Sequence, residues 1–213
     1  MKQKYESSEY DNAISVKKMR EGDAYTISNY VSGKELMFRA AFGVYNSLNW
    51  KGKAVAIVCG GGNNGGDGYA LANILVDHGV VPHIYRVSEK FSDDGAYYYN
   101  LALKKGIPID CFSENQVFSM YDIIVDCILG TGFIGIPRGL AAAAINAINN
   151  SSAFIVSVDI NSGLNGDSGE AKLAVKSNLT VSIGYYKTGL FLGKAPELID
   201  DLKNIDIGIV FEK

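Results

Sequence analysis

The chain reads as an α/β protein, a Rossmann-like three-layer α/β/α sandwich with a mainly parallel sheet, preceded by two N-terminal helices. Three features predict this. Short, continuously apolar runs recur along the chain, starting with AVAIVC at 54–59, as expected of strands covered on both faces. Stretches with helical spacing stand between several of them. The glycine cluster Gly60-Gly61-Gly62-Asn63-Asn64-Gly65-Gly66-Asp67-Gly68 follows the first run, where the chain must turn from strand to helix. At 213 residues, with 47% hydrophobic and 20% charged content, one domain is expected rather than two, and disorder, collagen and coiled coil are excluded.

Residues 1–11 read as a loose tail and 12–213 as the single domain. Ser15 can cap a first helix carrying Met19, Ala24 and Ile27 at helical spacing. Ser32 and Glu35 form the S-x-x-E of a capping box before Leu36, Met37, Ala40, Ala41 and Val44, in a helix ending near Leu48. After AVAIVC, further strands are expected in VPHIYRV (81–87), IDCF (109–112), DIIVDCIL (122–129), AFIVSVDI (153–160), LTVSIG (179–184) and DIGIVF (206–211). Helices are expected at 67–78, 92–105 and 140–149, with a weak turn at 114–119. The stretch from Gly139 to Val158 has no charge over about the length of a membrane span. Asn146, Asn149, Asn150, Ser151 and Ser152 divide it into a helix, a turn and a buried strand.

Twenty Lys plus Arg against 23 Asp plus Glu give a net charge of -3, without the basic excess that sequence-independent nucleic-acid binding draws on. Cys59, Cys111 and Cys127 are far apart, with no CxxC and no paired histidine, so neither a disulfide framework nor a zinc site is indicated. The charged N-terminus lacks the apolar region of a secretory signal. A soluble, cytoplasmic protein in a reducing compartment is expected.

In an open parallel sheet, ligands bind beyond the carboxyl ends of the strands. Four segments occupy that position: Gly60 to Gly68, Cys127 to Pro137, Asp159 to Gly163, and Tyr185 to Gly189. The first formally contains GxGxxG in Gly60, Gly62 and Gly65, the dinucleotide fingerprint. However, Asp67 is expected at about the helix start, where a carboxylate would repel a pyrophosphate. Asn63 and Asn64 offer amide groups suited to a cation or to ribose and carboxamide. The plainer reading is a glycine-rich turn with Asp67 as its cap.

Asp126 lies in an apolar strand with no Lys or Arg beside it, and an ionised carboxylate there must be paired or hydrogen-bonded. With Asn64 and Ser162 it can hold a hard cation, and one carboxylate among neutral oxygens suits a monovalent ion better than Mg²⁺. Equally, it can be hydrogen-bonded to loop amides. Asp159 ends an apolar strand and is a candidate acid/base, or else closes the turn Asn161-Ser162-Gly163. Lys187 is either solvated or a ligand contact. Cys59 and Cys127 read as core, and His78 and His83 as structural.

Together, NNGGDG at 63–68, VDCILGTG at 125–132, VDINSG at 158–163 and the ending DIGI at 206–209 resemble the NAD(P)H-hydrate epimerase family, the YjeF N-terminal domain. Met19, Arg20, Asp23 and Leu36-Met37 are similar to the family's opening. The resemblance runs from about Ser15 to Val210. It implies an isomerase that interconverts the R and S forms of hydrated NADH and NADPH (NADHX and NADPHX), working with a separate ADP- or ATP-dependent dehydratase. It also implies a substrate site at Asn63, Asn64, Gly65, Gly66 and Asp67, at Gly130, Thr131, Gly132, Phe133, Ile134, Gly135 and Ile136, and at Asp159, with K+ held by Asn64, Asp126 and Ser162. Asp159 is then the candidate proton shuttle. The family often dimerises, which makes a homodimer an expectation.

Three positions depart from the family pattern. Asn161 stands in place of a proline, which removes a fixed φ and predicts a looser loop around Asp159 and Ser162. Tyr186 precedes Lys187 where proline is common, and LMFRAA replaces an LMENAG-like helix ending. The competing readings are a non-catalytic scaffold of the same fold and an NAD-dependent oxidoreductase, which would need a ribose-binding acid after the second strand, where Glu89 lies too far on.

Overall fold

The computed structural model describes residues 12–212, and the expected tail at 1–11 lies outside the described residues. Helix α1 (Val16–Asn29) is capped by Ser15, whose Oγ accepts the Lys18 N–H; α2 (Gly33–Asn46) is capped by Ser32, accepting the Glu35 N–H. Only half of the capping box forms, because Glu35 turns to Arg39 at 3.0 Å. Helix α2 buries Leu36, Met37, Ala40, Ala41 and Val44, as its spacing predicts. Helix α1 buries Val16, Met19, Gly22 and Thr26, whereas Ala24 and Ile27 are exposed. Gly22 sets that rotation, since Ile209 and Phe211 pack so closely that a Cβ would lie 2.6 Å from Phe211.

Seven parallel strands follow: β1 (Val55–Cys59), β2 (His83–Arg86), β3 (Ile109–Cys111), β4 (Ile123–Cys127), β5 (Phe154–Val158), β6 (Ser177–Ile183) and β7 (Ile199–Ile205). Their order is β3-β2-β1-β4-β5-β6-β7. The connecting helices are α3 (Asn63–Asp77), α4 (Asp93–Lys104), α5 (Gly139–Asn149) and the short α6 (Ala195–Leu198). Successive strand residues face opposite sides. Ile57, Cys59 and Val125 pack against α1 to α4, while Ala56, Val58 and Ile124 pack against Ala144, Ile145 and Ile148 of α5, giving the three layers. No helix among the described residues is long and apolar enough to cross a membrane.

The end of the sheet corrects the sequence reading. Residues 206–211 are not a strand; the last strand is IDDLKNI at 199–205. As an edge strand β7 needs little buried surface, and its charges discourage pairing with other chains. Ile207 and Ile209 are buried, Val210 N–H donates to Thr26 Oγ1 of α1 at 2.8 Å, and Gly208 turns the chain at φ 82.

Strand order reverses between β1 and β4, so the chain leaves these neighbours in opposite directions and opens a crevice at their carboxyl ends. Gly60 allows the two exits to touch: its N–H donates to the Cys127 carbonyl at 2.9 Å, and a Cβ would lie 1.9 Å from the Ile128 carbonyl oxygen. Gly60→Ala is therefore expected to lower urea-denaturation stability by about 3 kcal/mol. Gly62→Ala, where a Cβ meets nothing within 4 Å, is expected to cost under about 1 kcal/mol.

Candidate functional site

The strand-end segments and both leading helices enclose a cleft of about 600 Å³. Its floor begins with α3, which starts at Asn63, earlier than the sequence indicated, with Gly62 as an N-cap lacking a side-chain bond. Asp67 is thus the fifth helical residue and not at the helix start, because the glycines expected to form a loop are the helix's first turn. The helix N-terminus is left without a competing carboxylate, and Asp67 projects into the cleft. Gly66 lies beneath, against Met37 and Gly95, and Gly65 against the Gly60 carbonyl; both position the helix without lining the cleft.

Asn63 and Asn64 line the cleft. Asn64 Nδ2 donates to the Val158 carbonyl at 2.6 Å, which fixes the amide's orientation. Its Oδ1 is buried and accepts no hydrogen bond among the described residues. Asp126 is completely buried and, like Ser162, does not line the cleft. Four donors reach its carboxylate: Ser162 N–H (2.9 Å), Ser162 Oγ (2.5 Å), Ser157 Oγ (2.8 Å) and Ile128 N–H (3.3 Å). Burial pushes this carboxyl up and the hydrogen bonds oppose it. Ser162 Oγ also accepts the Leu129 N–H at 2.8 Å, tying the segments after β4 and β5 together.

Asp159, at the end of β5, has φ 69, the one positive φ at a non-glycine among the described residues. Its N–H donates to Val181 and the Ile160 N–H returns to Val158, each at 2.8 Å, closing a tight turn that aims the side chain into the cleft. Lys187 is not solvated. It is 1% exposed, and its Nζ donates to Asp159 Oδ1, to the Ile183 carbonyl at 2.7 Å and to Ser182 Oγ at 3.3 Å.

Asn161 does not loosen this loop. It is buried, its Nδ2 donates to the Val175 carbonyl (2.9 Å) and Ser177 Oγ (3.0 Å), and its Oδ1 accepts from Thr180 Oγ1 (2.6 Å). Hydrogen bonds replace the constraint a proline would supply.

Gly130, Thr131, Gly132 and Phe133 line the cleft, whereas Ile134, Gly135 and Ile136 lie beyond its rim, with Ile134 82% exposed. The sequence reading missed the opposite wall: Met19, Arg20, Asp23 and Ile27 of α1, with Leu36, Met37 and Ala40 of α2. Asp23 stands one turn after Met19, an acid on a stripe that otherwise faces inward, and that was the available signal.

Burial, reinforced by the neighbouring Asp159, raises the Asp23 carboxyl from 3.8 to about 6. Burial, with Asp159 and Asp23 nearby, holds Asp67 well above its ordinary range. Lys187 opposes both shifts. Burial also raises the Cys59 and Cys127 thiols, which excludes them as nucleophiles at neutral pH. The carboxyl end of β2, where an oxidoreductase would need its ribose-binding acid, carries Arg86 stacked over Phe91 and Tyr99, and Glu89 is exposed.

Comparison with known proteins bears on this arrangement. A family model described as YjeF-related protein N-terminus matches residues 33–189. The chain is 37% identical over 204 residues to an NAD(P)H-hydrate epimerase of Oenococcus oeni, covering 92% of this chain and 96% of that protein. It is 35% identical over 186 residues to an NAD(P)H-hydrate epimerase of Limosilactobacillus reuteri, covering 84% and 88%. A bifunctional NAD(P)H-hydrate repair enzyme of Coxiella burnetii is 33% identical over 192 residues; the match covers 87% of this chain and 39% of the longer protein. The crystal structure of the yeast protein ynu0 superposes with a TM-score of 0.71 at 22% identity, covering 88% of this chain and 86% of that one, a likeness of fold.

The loop that carries Asp159 and Ser162 depends on Asn161. Asn161→Ala strips partners from buried Val175, Ser177 and Thr180 groups and is expected to cost about 2–4 kcal/mol in chemical denaturation. A loss below about 0.5 kcal/mol would show that the network does not hold the loop.

Proposed function

The chain belongs to the YjeF-related N-terminal family, and on that premise we infer that it is an NAD(P)H-hydrate epimerase, an isomerase interconverting the R and S forms of hydrated NADH and NADPH in nicotinamide cofactor repair. The observation that carries the reading at residue level is the meeting of the segments after β1, β4, β5 and β6 around one cleft holding Asp159 and Lys187. Asn63, Asn64, Asp67 and residues 130–133 are the proposed substrate contacts, with Asp159 and Lys187 beside the reacting ring. The open N-terminus of α3 offers backbone N–H groups to the dinucleotide's phosphates.

Epimerisation at C6 requires its hydroxyl to gain or lose a proton. The enamine nitrogen can expel a protonated hydroxyl to give an iminium that water re-enters from either face; alternatively, the ring opens to an aldehyde and recloses. Asp159 is the proposed shuttle in both routes, since its carboxylate reaches the cleft while the buried Lys187 ammonium fixes its orientation.

Potassium is the proposed cofactor, held by Asn64, Asp126 and Ser162. The donor set fits: Asn64 contributes a buried oxygen with no donor among the described residues, Asp126 the one carboxylate of the set, and Ser162 a hydroxyl that already joins the segments after β4 and β5. The ion would organise these loops by its charge, being a weak Lewis acid beside Zn²⁺. The proposed partner is a dehydratase that consumes the S form, and relatives named bifunctional repair enzymes support a second activity acting with this one. A cytoplasmic location belongs to the same reading.

The test mixes purified protein with R-NADHX and follows the epimer ratio by chromatography, with and without potassium. Conversion well above the spontaneous rate and a slower rate without potassium are expected. Asp159→Asn is expected to lower kcat by about two to four decades. No acceleration by the wild-type chain would favour the non-catalytic scaffold.

A further inference from the structure

We propose that Asp23, reaching the cleft from α1, is a second acid–base residue of the epimerisation, protonating the hydroxyl that leaves one face of C6 while Asp159 receives the proton of the water that enters the other. This rests on the epimerase reading. Inverting C6 moves an oxygen from one face of the ring to the other, and a single carboxyl on one wall of a cleft cannot serve both faces of a ring held between the walls. Asp23 and Asp159 reach the cleft from different elements, Asp23 from α1 and Asp159 from the carboxyl end of β5.

The surroundings of the two carboxyls divide the roles. Lys187 donates to Asp159 Oδ1 and pairs with it, so the lysine is committed to that carboxyl. Asp23 has no ion pair or hydrogen bond among the described residues. The charged groups facing the cleft with it are Asp67 from α3, Asp94 from α4, Asp159 and Lys187 from the strand ends, and Arg20 on its own helix. Burial and the Asp159 charge raise Asp23 to about 6, so it retains a usable protonated fraction near neutrality, as general acids must.

In the iminium route the Asp23 carboxylic acid gives its proton to the C6 hydroxyl, and the C6–O bond breaks with its electron pair leaving as water. The ring nitrogen lone pair closes a C=N bond. Water then attacks C6 from the opposite face, the C=N pair returns to nitrogen, and the surplus proton passes to Asp159. Exchange with solvent returns both carboxyls to their starting states, and the hydrate keeps its composition.

The test compares wild type with Asp23→Asn, Asp23→Glu and Glu21→Gln, an exposed residue of the same helix. Spontaneous epimerisation is subtracted at each pH. Asp23→Asn is expected to lower kcat about 100-fold with KM within threefold. The wild-type rate should fall as pH rises through about 6, where Asp23 loses its proton, and the Asn variant should be flat there. Asp23→Glu should restore part of kcat with a displaced pH limb, and Glu21→Gln should match wild type. At pH 8 the melting temperature of Asp23→Asn should equal or exceed that of wild type, because the substitution removes a charge that the fold disfavours. Wild-type kcat in Asp23→Asn, a loss confined to KM, or an unchanged pH limb in both variants would overturn the proposal. If wild type accelerates and Asp159→Asn does not, normal turnover by Asp23→Asn sinks this inference alone; a wild type without acceleration sinks the epimerase reading and this inference with it. Should Asp23→Asn fail to fold, Asp23→Glu decides through its pH limb.

Discussion

Lys187 carries its ammonium into the interior, and the arrangement of the cleft follows from where that charge is satisfied. A buried cation must be met by nearby acceptors. Those present are Asp159, Ser182 and the Ile183 carbonyl, so the segment after β6 is pinned to the end of β5. The same segment holds the start of the described chain: Ile14 N–H donates to the Tyr186 carbonyl at 2.8 Å, and Thr188 N–H donates back to Ile14 at 3.1 Å. Ser15 then caps α1, whose Val16 N–H meets Asp167 at 2.7 Å. One buried ammonium thereby fixes both the strand-end carboxylate and the helix that brings Asp23 across from it.

Four carboxyls, Asp23, Asp67, Asp94 and Asp159, line the cleft with Lys187 and Arg20. Asp23 binds its proton more tightly folded, at about 6, than in an exposed chain at 3.8, so its ionisation costs the fold stability. That cost is absent below about pH 4, grows as pH rises to about 6 and is fully present above.

Most of the scaffold was legible because burial on both faces leaves an unambiguous mark. VAIVC, IIVDC and FIVSV became β1, β4 and β5, and a carboxylate inside or ending such a run, Asp126 or Asp159, announces itself by its cost. Strand β7 was not legible because an edge strand buries little, and Asp200, Asp201 and Lys203 hide it among loop-like residues. The start of α3 was obscured because asparagine and glycine are read as loop formers, whereas here they allow the helix to pack tightly on β1 and α2. Lys187 and Asp23 share one difficulty. A lone charge in a loop or on an amphipathic helix reads as solvated, and only the tertiary fold turns it inward.

The segments after β1, β4, β5 and β6 form one cleft that α1 also lines. A crystal structure of the chain with bound NADPHX tests it most directly. Electron density for the hydrated nicotinamide ring is expected between Asp23 and Asp159, with the phosphates near the start of α3 and residues 130–133. A ligand seated elsewhere, or a ring lying in this cleft with C6 out of hydrogen-bond reach of both carboxyls, would contradict it.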